Sequence, residues 1–161
     1  MINSESILSL EERIKHTPVN KGQWSGKRGN SRFYTDKKEV KKMGADYVEY
    51  ENGEPDFSRF SRITVTIPSM TDDRRPYSSY YKCNYEQAYT QIAKQKGMTE
   101  KEAKHWLKEN NLVLHEACDM KTIQAIPRII HSTYIHTGGV AECKAYLEAE
   151  ENDELCDEVC E

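Results

Sequence analysis

The stretch LVLHEACDMKTIQAIPRIIHSTYIHTGG at residues 112–139 holds three of the chain's five histidines, His115, His131 and His136. Leu112-Val113-Leu114 reads as a short apolar strand, the polar run from Ala117 to Lys121 as a turn, and Thr122-Ile123-Gln124-Ala125-Ile126 as a second strand, which makes a hairpin. Pro127 suits the first position of a helix, where its missing N–H costs nothing. Arg128 to His136 follow as about two turns, closed by Gly138-Gly139. The expected unit is strand, turn, strand, helix. Within it the end of the first strand and one face of the helix bring His115 and Glu116 toward His131 and His136. Imidazole and carboxylate are suitable ligands for a divalent transition metal. At i and i+5, His131 and His136 lie about 140° apart on an ideal helix, so His136 must sit where the helix unwinds toward Gly138.

Upstream, Thr99-Glu100-Lys101-Glu102 has the form of a capping box ahead of a helix whose buried face is Ala103, Trp106 and Leu107, ending near Asn110-Asn111. Asn84, Tyr85, Ala88, Tyr89 and Ile92 describe another helix running to a Gly97 stop. Ile63, Val65 and Ile67 alternate with Thr64 and Thr66 as a half-buried strand does, and Tyr47 to Tyr50 form a strand entering a tight Asn52-Gly53 turn. Between them lies a loop plugged by Phe57. Arg74-Arg75-Pro76 marks an exposed turn, and residues 23–31 read as an ordered loop anchored by Trp24. Ile7, Leu10 and Ile14 give residues 6–16 an amphipathic helix closed by Pro18. The expected fold class is α+β.

Leu114-His115-Glu116, Ala125-Ile126-Pro127, His131 and His136-Thr137-Gly138-Gly139 resemble the HNH-superfamily nuclease domains of bacterial polymorphic toxins and colicin-like bacteriocins. Their pattern is Trp-His-His/Glu, a Val-Pro, and His-x4-His-x-Gly-Gly. Trp24-x-Gly26-x-Arg28-Gly29-Asn30-Ser31 and Gly53-x-Pro55-Asp56-Phe57-Ser58 resemble elements that precede the core in those domains, so the resemblance spans residues 18–141. It implies a ββα-metal (His-Me finger) core and a metal-dependent endonuclease acting on DNA, or on RNA in the tRNA-cutting branch. One divalent ion (zinc, nickel, magnesium or manganese) would be held by His115, His131 and His136. Glu116 stands at the general-base position, where a colicin-type nuclease has a second His, and Leu114 replaces the usual Trp. Glu ionises near about 4.3 in model peptides, so the roles can also be exchanged, with His115 as base and Glu116 as ligand or orienter. Arg28 and Arg128 are the candidate phosphate contacts, and Trp24, Asp56, Gly138 and Gly139 the candidate supports. The resemblance also implies a cognate immunity protein as partner. It further implies a toxin domain that is the C-terminal part of a longer delivered protein, although this chain opens on Met1 with no delivery module.

A chain of 161 residues with 37% hydrophobic and 31% charged residues fits one modest-core domain. The expected divisions are a lead-in over 1–20, the nuclease domain over 21–141 with its ββα core at 112–139, and an acidic tail over 142–161. The tail holds nine acids and one base, Lys144. Removing these from the totals of 27 and 23 leaves 18 acidic and 22 basic residues in the body, a mildly basic balance compatible with phosphate binding. The first residues lack a signal peptide's basic and apolar regions, and no run is long enough to span a membrane. Synthesis in the cytoplasm and no membrane partner are the corresponding expectations, and the resemblance adds delivery into the cytoplasm of a target cell by a specialised secretion system. Five irregularly spaced cysteines read as free thiols, and Cys156-x3-Cys160 without a partner cluster is a weak metal signal. Structural zinc usually takes four ligands and favours Cys, so three His suit catalysis better than a purely structural metal module or an inactivated relative.

Overall fold

Local capping chemistry sets the helices. In the computed structural model, which describes residues 8–71, 83–146 and 148, Thr99 accepts the Glu102 N–H at 3.1 Å and Glu102 accepts the Thr99 N–H at 2.7 Å. Helix Glu100–Glu109 follows, with Ala103 and Leu107 buried as its spacing requires. The preceding helix, Asn84–Lys96, ends on Gly97 at φ +65°, the left-handed C-cap that glycine adopts without steric cost. In chain order the helices are α1 (Leu10–Lys15), α2 (Lys38–Lys42), α3 (Asn84–Lys96), α4 (Glu100–Glu109) and α5 (Arg128–Thr133).

The strands are β1 (Gly22–Trp24), β2 (Arg32–Thr35), β3 (Tyr47–Glu51), β4 (Glu54–Pro55), β5 (Ile63–Thr66), β6 (Leu112–Glu116) and β7 (Thr122–Pro127). They form two antiparallel sheets, ordered β1-β2-β3-β4 and β5-β7-β6. The expected α+β class and the C-terminal strand, strand, helix order are both present. In the hairpin Leu114 faces Ala125 and Glu116 faces Ile123, while β5 pairs Ile63 with Ala125 along the other edge of β7.

The β6–β7 hairpin is covered on both faces, which explains why it reads as an apolar run rather than a polar and apolar alternation. Leu112, Leu114, Ile123 and Ala125 join Val65, Ala88, Ile92, Ala103 and Leu107 in a core between the smaller sheet and α3–α4. Val113 and Ile126 face the opposite way, into a second core with Phe33, Val48, Tyr50, Phe57, Ile130 and Tyr134.

Several expectations change. Residues 23–31 contribute Gln23 and Trp24 to β1 and then turn into β2, and neither β2 nor α2 is visible in the periodicity. Helix α1 starts at Leu10 behind a Ser9–Glu12 capping box. Leu10 is exposed, and the residue the helix buries is Arg13, whose guanidinium meets Glu142 at 2.7 Å. Pro127 closes β7 and caps α5 instead of opening it, and α5 stops at Thr133 instead of His136. Gly138 and Gly139 take no left-handed conformation. They open a further helical segment, 139–146, with the Gly138 carbonyl accepting from the Ala141 and Glu142 N–H groups. The expected turn at Arg74-Arg75-Pro76, the apolar position at Ile7, Cys156, Cys160 and most of the acidic stretch lie outside the described residues. No described helix is long and apolar enough to cross a membrane.

Candidate active site

Alternation along β6 decides what each residue of His115-Glu116 can meet. His115 shares the face of Val113 and points toward α5, whereas Glu116 shares the face of Leu112 and Leu114 and points toward the start of α3. Helix α5 supplies His131. His136 comes from the extended segment after it, because the helix has already ended at Thr133. That early end removes the angular conflict between two histidines five residues apart. One ligand atom from each of His115, His131 and His136 falls in a group whose members all lie within 4.8 Å of one another.

The segment carrying His136 is pinned from the larger sheet. The Tyr134 hydroxyl donates to Ala45 O, and the Tyr50 hydroxyl donates to Ile135 O at 3.0 Å. With its carbonyl fixed, Tyr134 accepts from His136 Nδ1 at 2.9 Å. A carbonyl can only accept, so Nδ1 carries the proton and Nε2 keeps its lone pair, which faces His115 Nδ1 at 3.1 Å. Burial drives the His115 imidazole down to about 2 and the His136 imidazole to about 4, with repulsion from neighbouring histidines adding to both shifts. Both rings are therefore neutral near pH 7, the form that binds a metal.

The three residues fit a metal ion. Zinc–nitrogen bonds of about 2.0–2.1 Å in tetrahedral array put donor atoms roughly 3.3–3.4 Å apart, close to the 3.1 Å observed between His115 and His136. The hydrogen bond from His136 Nδ1 to a backbone carbonyl is the kind of support that orients ligating histidines. Phe57, 1% exposed, packs its ring against all three imidazoles, with centroids at 4.9, 5.9 and 5.5 Å from His115, His131 and His136. Its role as an apolar plug is legible in the sequence, but its target is not.

Glu116 is buried, and its carboxylate accepts from Asn84 Nδ2 at 2.8 Å. Asn84 is fully buried and fixed in turn by Thr71, whose carbonyl accepts from Nδ2 at 2.9 Å and whose N–H donates to Oδ1 at 2.7 Å. Sequence reading places Asn84 only as a helix start, and no local signal marks it as the partner of a residue 32 positions away. Glu116 nonetheless lines the same cavity, of about 490 Å³, as His115, His131 and His136.

The other sequence candidates are dispersed. Arg28 directs Nε to Thr17 Oγ1 at 3.0 Å and Nη2 to the Thr17 and Lys15 carbonyls at 2.8 and 3.2 Å, so it ties its loop to the end of α1 and does not line the cavity. Arg128 is exposed at the first position of α5 and also lies outside the cavity lining. Asp56 makes no pair with Arg28. Its carboxylate caps the Ser58 N–H at 2.9 Å, at the short 3-10 turn that follows Phe57. Trp24 stacks at 5.1 Å from Phe33 and 5.0 Å from Tyr50, and its indole N–H donates to Pro18 O. Gly138 and Gly139 line the cavity, and Gly139 lies so close to the hairpin turn that a Cβ would fall 2.3 Å from Ala117 O. His16 and His105 sit apart from the cluster, His105 paired with Glu109 at 3.0 Å.

The family model for the DNase/tRNase domain of colicin-like bacteriocins matches residues 47–138, more than half of the chain and all of the cluster. No curated protein matches it.

Proposed function

The chain belongs to the DNase/tRNase domain family of colicin-like bacteriocins, a group of nuclease toxins, and from that premise we propose that it is an HNH-type endonuclease hydrolysing phosphodiester bonds of DNA with one divalent metal ion. The observation that carries this reading is the convergence of three ligand atoms, two of them on neutral imidazoles, beside a cavity that Glu116 also lines. His115, His131 and His136 would hold the ion. When bound, it supplies Lewis-acid polarisation of a phosphoryl oxygen and stabilises the charge on the leaving oxygen.

His115 belongs to the ligand group and its Nδ1 lies 3.1 Å from His136 Nε2, which favours Glu116 over His115 as the base. Glu116 would take a proton from the attacking water, with Asn84 holding the carboxylate in place. Phe57 packs the imidazoles into one arrangement, so their rings are gathered before any ligand arrives.

A second reading keeps the site and changes the substrate to tRNA, since the family description covers both activities. In either case the domain would act as a delivered toxin in competition between bacteria, and a cognate immunity protein would mask the cavity in the producing cell.

Cleavage of supercoiled plasmid by the purified chain with magnesium, manganese, nickel or zinc, and with chelator, tests the proposal beside His131→Ala. Metal-dependent nicking that the variant loses is expected. Failure on plasmid with every metal would sink the DNase assignment, and the same samples on total tRNA would separate the tRNase from a metal site without catalysis.

A further inference from the structure

Neither arginine singled out by the sequence lines the histidine cavity, yet a phosphodiester entering it brings negative charge close to Glu116. Among the described residues that line it, Lys144 is the one lysine or arginine. It stands on the helical segment 139–146 three residues beyond Ala141 and four beyond Val140, which line the cavity too, so the three form one stripe. Glu142 and Cys143 turn the other way, 3% and 5% exposed, and the 2.7 Å bridge from Glu142 to Arg13 fixes the rotation of the segment. The seat of Lys144 is therefore held rigidly, while its side chain is exposed and makes no ion pair among the described residues. A flexible four-carbon stem with an ammonium end, next to a cavity whose other described lining residues are histidines, Glu116 and uncharged groups, suits contact with a phosphate oxygen.

We infer that Lys144 binds a non-bridging phosphate oxygen of the nucleic-acid strand that enters this cavity, an inference that rests on the nuclease reading above. The test is binding of the full chain, in chelator, to a labelled DNA duplex and to labelled tRNA over salt from about 50 to 200 mM. Losing one phosphate contact lowers the slope of log affinity against log salt by about 0.9, and at about 0.15 M salt that corresponds to roughly fivefold weaker binding. Lys144→Ala and Lys144→Gln should show both effects and melt at the wild-type temperature, and Lys144→Arg should restore the slope. Equal affinity and slope in wild type and Lys144→Ala would overturn the inference even with cleavage intact, as would a wild type that binds neither probe at low salt. A wild type that shows the lysine effect but cleaves neither plasmid nor tRNA would instead overturn the nuclease reading and leave the phosphate contact standing.

Discussion

At residue scale the roles proposed for Glu116 and the histidines make the hydrogen bond from Asn84 to Glu116 a way to separate binding from turnover. Asn84 lies across the sheet from the histidines, with its amide hydrogen-bonded to Thr71 and Glu116. Asn84→Ala removes a donor from a buried carboxylate, which costs about 1–3 kcal/mol. Calorimetric titration should find metal affinity unchanged, while plasmid cleavage falls at least tenfold because the Glu116 carboxylate loses the amide that orients it. Asn84→Asp should be worse, since it sets a second carboxylate against the first. Wild-type turnover in Asn84→Ala would show that the amide supports the fold and nothing more.

At the scale of elements, the wall formed by segment 139–146 depends on one close approach. A Cβ on Gly139 would lie 2.3 Å from Ala117 O and 2.7 Å from Met70 Sδ, whereas one on Gly138 meets only Glu116 O at 3.4 Å. Gly139→Ala must push the segment off the hairpin turn, at a cost of about 1–3 kcal/mol for overpacking, and should lose cleavage as well. Gly138→Ala should stay near wild type in both thermal melting and cleavage. Equal melting of the two variants would refute the close contact. The same pair shows why the sequence misreads this region. A Gly-Gly after a helical pattern ordinarily signals a stop, but here it lets the next helix pack onto a backbone carbonyl.

Across the whole molecule, the site is held by parts far from it in sequence. Tyr50 from β3 and Ala45 position the segment carrying His136, and Glu54 from β4 accepts the Cys118 N–H of the hairpin turn at 3.1 Å. Arg13 and Glu142 both lie outside the family match of 47–138, yet their bridge is buried and joins α1 to the cavity wall. Arg13→Met takes the guanidinium from a buried carboxylate and should destabilise the protein by about 3–5 kcal/mol, read by urea unfolding. Pairing it with Glu142→Leu should recover much of that loss. A single variant as stable as wild type would mean that the bridge adds no net stability.

By itself the sequence determined what depends on neighbours a few residues apart. The capping box at Thr99–Glu102, the Gly97 stop and the hairpin of β6 and β7 all follow from backbone stereochemistry and short-range periodicity. Only the tertiary structure decided the rest: β5 on the edge of β7, Phe57 against three imidazoles, Asn84 on Glu116, Arg28 as a tie to α1, and Lys144 at the cavity. Those contacts join residues from 11 to more than 60 positions apart in the cases of Arg28 and of β5 with β7, or place a residue against a cavity that distant elements build. Burial and charge pairing at that range depend on which surfaces meet once both sheets have packed, and local spacing carries no record of it.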